Sequence, residues 1–128
     1  MDSSFWFALF SRNEPAHARS AELLEGFDGS LHTSTFVMAE TAGLVTKRAT
    51  KAGAVAFCLY VLDGSACEVI HPSEVQVRAA WDLFLSRPDW DFDFVDALSF
   101  TMMRELGIDT AFTLDRHFTQ MGFAALPE

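Results

Sequence analysis

Apolar residues occur in two kinds of segment along this chain, and each kind predicts a different element. In the longer segments they recur every three to four residues, which is typical of helices with one buried face. These segments predict helices over 3–12, 15–25, 34–48, 53–62, 74–86, 94–106 and 116–121. The short apolar runs bounded by turn residues predict strands over 30–33, 67–70 and 110–114, with an edge strand over 123–126.

Strands that alternate with helices predict an α/β fold with a parallel sheet and right-handed crossovers. The chain of 128 residues has no internal repeat or linker, so we expect a single domain over 1–128. Ligands of such sheets bind beyond the carboxyl ends of the strands. Asp2 and Asp115 fall at strand ends of this kind.

Composition indicates a compact protein with its own core. Half of the residues are hydrophobic, and they include 13 Phe and 3 Trp. Cys58 lies inside the apolar run 54–62 and is predicted to be a buried, reduced thiol, which suits a cytoplasmic location. The longest apolar run, 52–62, is shorter than the roughly 20 residues that span a bilayer, and no leader-like segment opens the chain. We therefore expect a soluble protein with no membrane partner.

The net charge of −9 argues against broad, non-specific attraction to nucleic acid. Two interpretations remain open. Either the substrate is not a polyanion, or the acidity is concentrated in a metal pocket and a few local cations hold the substrate. The surplus of negative charge also suits a basic protein partner.

Four acids stand at the edges of apolar segments: Asp2, Glu40, Asp96 and Asp115. Glu40 is in line with Phe36 and Leu44 on one helix, at spacings of four residues. Carboxylates that folding brings together repel one another, and a divalent cation relieves that repulsion.

Each acid also has an ordinary explanation when it is considered alone. Glu40 could extend to solvent from the boundary of the core. Asp96 could favour the positive end of a helix that Asp93 caps, although it shares an inward face with Phe100 and Met103. Asp115 could be only a helix cap, and Asp2 a disordered terminal residue.

Three segments together carry a family resemblance: Asp2-Ser3-Ser4, Phe94–Ser99 and Thr113–Phe118. In this order, and with the helix around Glu40, they resemble the PIN-domain nucleases and, among these, the VapC toxins of toxin–antitoxin pairs. The resemblance extends over essentially the whole chain. It implies a three-layer α/β/α sandwich with a parallel five-stranded sheet.

The resemblance also implies a site and an activity. Its acidic quartet corresponds to Asp2, Glu40, Asp96 and Asp115, with Ser4 and Thr113 as supporting polar groups. The family's activity is endoribonuclease cleavage that depends on Mg²⁺ or Mn²⁺. Its partner is a small VapB-like antitoxin that blocks the site, and we also expect a homodimer.

The chain departs from the family pattern at two positions. Only Met1 precedes the first acid, where family members have several apolar residues that form the central strand, so that strand is predicted to be shortened. Asp93 stands where the family commonly has Ser, and it adds a charge near the metal.

Under this hypothesis Asp96 and Asp2 hold the principal ion, while Asp115 and Glu40 complete a second site or position the attacking water. Candidate RNA-binding cations lie beside the acidic segments, although ordinary solvated charges would look the same: Arg12, Lys47, Arg48, Lys51 and Arg116. His117 could bind phosphate, but an isolated His is more often structural.

Other classes fit less well or remain as alternatives. A haloacid-dehalogenase-type phosphatase needs a second Asp two residues after the first, where this chain has Ser4. A receiver-type switch needs a late Lys, and no Lys follows Lys51. The remaining alternative is a catalytically degenerate PIN-like module that only binds protein.

Overall fold

A computed structural model describes residues 1–128 and contains helices on both sides of short parallel strands. The helices are α1 (Ser3–Phe10), α2 (His17–Gly26), α3 (Thr35–Arg48), α4 (Lys51–Leu62), α5 (Glu74–Ser86), α6 (Phe94–Leu106) and α7 (Arg116–Gln120). The strands are β1 (His32–Ser34), β2 (Glu68–Ile70), β3 (Thr110–Phe112) and β4 (Ala124–Leu126). The predicted α/β class is confirmed.

The strands form two parallel pairs. In one pair β1 runs beside β2, and in the other β3 runs beside β4. The first two residues of the chain lie between the pairs, because the Met1 nitrogen donates to the His32 carbonyl at 2.6 Å and the Asp2 nitrogen donates to the Phe112 carbonyl at 2.9 Å. The predicted count of five strands is not confirmed. Met1 and Asp2 occupy the central place, but two residues are too few to form a ladder with both neighbours.

A cavity of about 470 Å³ lies next to Met1, between the two strand pairs. Its lining includes Leu31 and Thr33 on one side and Thr110 and Phe112 on the other, with Met1 among them. The edges of β1 and β3 that face each other are therefore bridged by only two residues.

Two hydrophobic clusters hold the helices in place. One surrounds Phe100 on α6, whose ring centroid lies 4.9 Å from that of Phe118. The other surrounds Trp6 on α1, which is fully buried and whose indole nitrogen donates to Thr33 Oγ1 at 3.3 Å. Trp6 thereby fixes α1 against β1, and α1 is the helix that begins directly after Asp2.

Several predicted boundaries were wrong by a few residues. Helix α2 begins at His17 rather than at Pro15. Helix α4 begins earlier than predicted, at Lys51, because Thr50 Oγ1 accepts a hydrogen bond from the Gly53 nitrogen and caps it. The prediction that Cys58 is buried was wrong. Cys58 is only half-buried, because its helix turns other side chains towards the core, and Cys67 is the buried thiol. No helix combines the length and the apolarity that a bilayer crossing requires.

Candidate metal and nucleic-acid site

Asp2 is held at the start of α1 by hydroxyl groups. Its Oδ2 accepts hydrogen bonds from Ser4 Oγ at 2.6 Å and from Thr113 Oγ1 at 2.9 Å, and the side chain caps the helix through the Ser4 nitrogen. Asp2 is 4% exposed. The terminal residue is therefore ordered, and Ser4 and Thr113 both contact its carboxylate, as their predicted supporting role requires.

Glu40 points from α3 towards α1, where Ser3 Oγ donates a hydrogen bond to Oε1. Burial raises the pKa of Glu40 above its ordinary value, and the nearby charges of Asp93, Asp2 and Asp115 raise it further, although the bond from Ser3 acts in the opposite direction. No sequence pattern singles out Ser3 as a site residue. Its position beside the two predicted site residues Asp2 and Ser4 was the only signal.

Asp96 forms a reciprocal capping box with Asp93 at the start of α6. The Asp96 nitrogen donates to Asp93 Oδ1 at 2.9 Å, and the Asp93 nitrogen donates to Asp96 Oδ2 at 3.2 Å. Burial, and then the charges of Asp93, Asp2 and Asp115, raise the pKa of Asp96 to about 8. Asp96 therefore has the ordinary role of a residue at a helix start and is also buried.

Asp115 lies just beyond the carboxyl end of β3 and caps α7. Its Oδ1 accepts from the His117 nitrogen at 2.9 Å, and its own nitrogen donates to Thr113 Oγ1 at 3.0 Å. Thr113 thus contacts both Asp2 and Asp115. One buried hydroxyl connects two of the four predicted acids.

The four acids lie in one region at the carboxyl ends of the strands. The charges of Asp2 and Asp115 each raise the pKa of both Glu40 and Asp96, as carboxylates that face a common space do. The candidate ligand atoms that lie nearest to one another are not those of the predicted principal pair, Asp96 and Asp2. They belong to Asp96, Asp115 and His117 and all lie within 4.8 Å of one another.

His117 also lies in this cluster, although its sequence context indicated only a possible phosphate contact or a structural role. Its Nε2 lies 2.7 Å from Asp91 Oδ1, and its Nδ1 lies 2.8 Å from Asp115 Oδ1 and 3.7 Å from Asp96 Oδ2. Burial by itself lowers the pKa of His117, but the hydrogen bond with Asp91 and the carboxylates around it outweigh that effect and raise the pKa. No local pattern relates Asp91 to His117, because folding brings the loop before α6 onto α7.

The predicted cations are all exposed. Arg12, Lys47, Arg48 and Lys51 are exposed, and Arg116 pairs with Asp91 at 3.2 Å. Lys47 follows Glu40 by seven residues on α3, so both lie on the same face of that helix about two turns apart. Lys47 therefore lies on the Glu40 side of α3.

The donor set fits a divalent cation. Its oxygens are carboxylates, which suit Mg²⁺ and Mn²⁺, and the buried Nδ1 of His117 has no hydrogen-bond partner. Like charges collected in partly buried positions are costly unless a cation compensates them. An α/β domain with such a cluster beyond its parallel strands has the donor set of an acidic metal site.

The chain belongs to the PIN domain family, whose model matches residues 1–124. It is similar to two curated proteins named "23S rRNA-specific endonuclease VapC20", from Mycobacterium tuberculosis strains CDC 1551 / Oshkosh and ATCC 25618 / H37Rv. Each is 31% identical over 123 residues, which cover 96% of this chain and 93% of the relative.

A solved structure gives the same result for the fold. The crystal structure of Mycobacterium tuberculosis VapC20, titled a "Sarcin-Ricin loop cleaving toxin", superposes with a TM-score of 0.91 at 30% identity, covering 96% of this chain and 94% of that one. These comparisons confirm the predicted relationship to PIN-domain nucleases of the VapC toxin type.

Proposed function

We propose that this chain, as a single PIN domain over 1–128, is a Mg²⁺- or Mn²⁺-dependent endoribonuclease and the toxin of a toxin–antitoxin pair. The observation that carries the proposal is the convergence of Glu40, Asp96 and Asp115 with Asp2 at the carboxyl ends of the strands. These acids come from separate segments, and nothing in the fold requires four carboxylates in one place. A metal-dependent phosphodiesterase site does require them.

Asp96 and Asp115 are the proposed principal oxygen ligands, because their carboxylates belong to the tightest set of ligand atoms. Asp2 and Glu40 complete the site, each held by a serine hydroxyl of α1. The chemistry that such an ion supplies is acidification of a water molecule and neutralisation of charge on the phosphate.

The residues of this chain position the reaction. Ser3 and Thr113 fix Glu40 and Asp2 in orientations that a solvated carboxylate would not keep. The raised pKa of Glu40 suits it to hold or release a proton beside the scissile phosphate.

The proposed substrate is a structured RNA. The relative from Mycobacterium tuberculosis is named as specific for 23S rRNA, and its crystal structure is titled as a sarcin–ricin loop cleaving toxin. We extend that substrate class to this chain as a proposal. Since the net charge is −9, RNA must be held by local cations, for which the candidates remain Arg12, Lys47, Arg48, Lys51 and Arg116.

The proposed protein partners are a VapB-like antitoxin and a second copy of this chain. On α1, Phe5 and Trp6 are fully buried and therefore cannot contact a partner. An exposed apolar stripe lies instead on α4, at Val55, Leu59 and Leu62, which are spaced by four and three residues. We assign the homodimer contact to this stripe.

The test is cleavage of a sarcin–ricin-type RNA hairpin and of intact ribosomes, with Mg²⁺ or Mn²⁺ and with EDTA. Wild type should cut only with metal, and Asp96→Asn should not cut. The matched control is Asp82→Asn on the exposed face of α5, which removes one carboxylate outside the site and should cut as wild type does.

Two results would count against the proposal. Metal-independent cutting, or cutting by Asp96→Asn, would remove Asp96 from the machinery. A folded wild type that cuts neither substrate with either metal would favour the protein-binding module instead.

A further inference from the structure

His117 lies in the first turn of α7 with 12% of its side chain exposed. Asp91 contacts one ring nitrogen, and Asp115 and Asp96 lie near the other. An imidazole placed between carboxylates in this way is either a protonated counter-ion or a metal ligand. Hydrogen-bond geometry separates the two.

The Asp91 contact fixes which nitrogen carries hydrogen. A carboxylate only accepts hydrogen bonds, so Nε2, at 2.7 Å from Asp91 Oδ1, is the donor. In the neutral ring Nδ1 then presents its lone pair. That lone pair faces Asp115 Oδ1 at 2.8 Å and Asp96 Oδ2 at 3.7 Å.

A proton on Nδ1 would not form a good hydrogen bond there. The distance to Asp115 is short enough, but Nδ1 is buried and has no hydrogen-bond partner, because an N–H in the ring plane does not point at the oxygen. Beside two carboxylates the ring favours a cation: a proton on Nδ1 in the metal-free protein, in line with the raised pKa of His117, or an ion that displaces that proton. The arrangement therefore suits an ion shared by the three side chains.

We infer that His117 Nδ1 is a nitrogen ligand of the ion held by Asp96 and Asp115, that Asp91 orients this ligand, and that the nitrogen makes the site prefer Mn²⁺ to Mg²⁺. The inference rests on the proposed function and narrows it. Mg²⁺ strongly prefers oxygen ligands, whereas Mn²⁺ accepts imidazole nitrogen more readily. A metal-bound histidine typically donates its other N–H to a carboxylate, which is the role of Asp91.

The direct test is pulsed electron paramagnetic resonance of the Mn²⁺-loaded protein, prepared with ¹⁵N-labelled histidine. Wild type should give ¹⁵N hyperfine coupling of a directly bound nitrogen, and His117→Ala should lose it. The other histidines do not belong to the acidic cluster, so loss of the signal in this variant assigns it to His117. Mn²⁺ bound to wild type without nitrogen coupling would overturn the inference.

A second measurement tests Asp91 as a positioning residue. Mn²⁺ and Mg²⁺ affinities are measured by titration calorimetry for wild type, Asp91→Asn and Asp89→Asn. Asp91→Asn should weaken Mn²⁺ binding about tenfold and Mg²⁺ binding less, since the imidazole is no longer held in one tautomer. Asp89 is exposed in the same loop, whereas the hydrogen-bond partner of His117 is Asp91. Asp89→Asn should therefore leave both metal affinities unchanged.

These results separate the inference from the proposed function. Unchanged Mn²⁺ affinity in Asp91→Asn and in a folded His117→Ala would overturn the nitrogen ligand, even if RNA cleavage still required metal. If wild type bound neither Mn²⁺ nor Mg²⁺, the metal-dependent function and the inference would both be wrong.

Discussion

Thr113 donates a hydrogen bond from Oγ1 to Asp2 Oδ2 at 2.9 Å, which joins the segment after β3 to the start of the chain. The same oxygen accepts from the Asp115 nitrogen at 3.0 Å. Thr113 is 1% exposed, so water does not replace it easily. One hydroxyl therefore supports two acids that lie more than a hundred positions apart in the sequence.

Thr113→Val should lower the free energy of unfolding by about 2 kcal/mol, because it leaves a buried carboxylate oxygen and a buried N–H with fewer partners. Metal affinity should fall as well, since Asp2 and Asp115 lose their common support. Urea unfolding and calorimetric metal titration measure the two effects. Thr113→Ser keeps the hydroxyl and should retain most of the stability and of the metal affinity. If Thr113→Ser lost as much of either as Thr113→Val does, the hydroxyl would not be the group that supports Asp2 and Asp115.

Asp96 predicts a pH dependence of stability in the metal-free protein. Its pKa is raised to about 8, chiefly by burial and then by Asp93 and Asp2, from 3.8. The folded state thus binds this proton more tightly than the unfolded chain does. Its contribution to stability is full below about pH 4 and is lost as the pH rises through about 8.

Asp96→Asn, which is neutral at every pH, should therefore be more stable than wild type at pH 8 in EDTA, by at least about 1 kcal/mol. Saturating Mn²⁺ should reverse the order, because binding at about 100 times Kd stabilises wild type by roughly 2.7 kcal/mol and the variant has lost a ligand. Thermal unfolding with and without metal measures both. A variant that is less stable than wild type in EDTA at pH 8 would contradict the prediction.

Lys47 should contribute one phosphate contact. It lies on the same face of α3 as Glu40, roughly 10 Å away along the axis. Measured in the inactive Asp96→Asn background, Lys47→Gln should weaken RNA binding and reduce the slope of log affinity against log salt by about 0.7. The control is Arg78→Gln on α5, which carries no acid of the site. Equal slopes in both variants would leave Lys47 as an ordinary surface charge.

The α4 stripe predicts the effect of a charge on assembly. Leu59 is 65% exposed at its centre, so Leu59→Glu should convert the proposed homodimer to a monomer, as measured by light scattering after size exclusion. Val75→Glu on α5, where the side chain is 78% exposed, is the control and should not change the mass. A mass unaffected by Leu59→Glu would remove the stripe from the interface.

The four acids could be proposed from the sequence because each stands at the edge of an apolar segment, although each also has an ordinary local explanation. Glu40 is in line with Phe36 on α3, and Asp96 follows its capping residue Asp93 by three positions, so helix periodicity and capping rules apply directly. Asp115 follows β3 and caps α7, which is also a local arrangement. The family resemblance then related these acids to one another.

The His117 contacts could not be predicted in the same way. Asp91 and His117 meet because the loop before α6 folds onto α7, and neither segment has a pattern that depends on the other. The cavity beside Met1 could not be predicted either, because it forms only when folding places β1 and β3 on either side of that residue.

The sequence by itself determined the order of helices and strands and the α/β class and indicated four candidate acids, because hydrophobic periodicity and helix capping act between neighbours in the chain. The tertiary structure decided which ligand atoms share one space, which hydroxyl supports which carboxylate, and that an imidazole is among them. Those relationships depend on distances and directions between remote segments, and these are fixed only when the two cores pack.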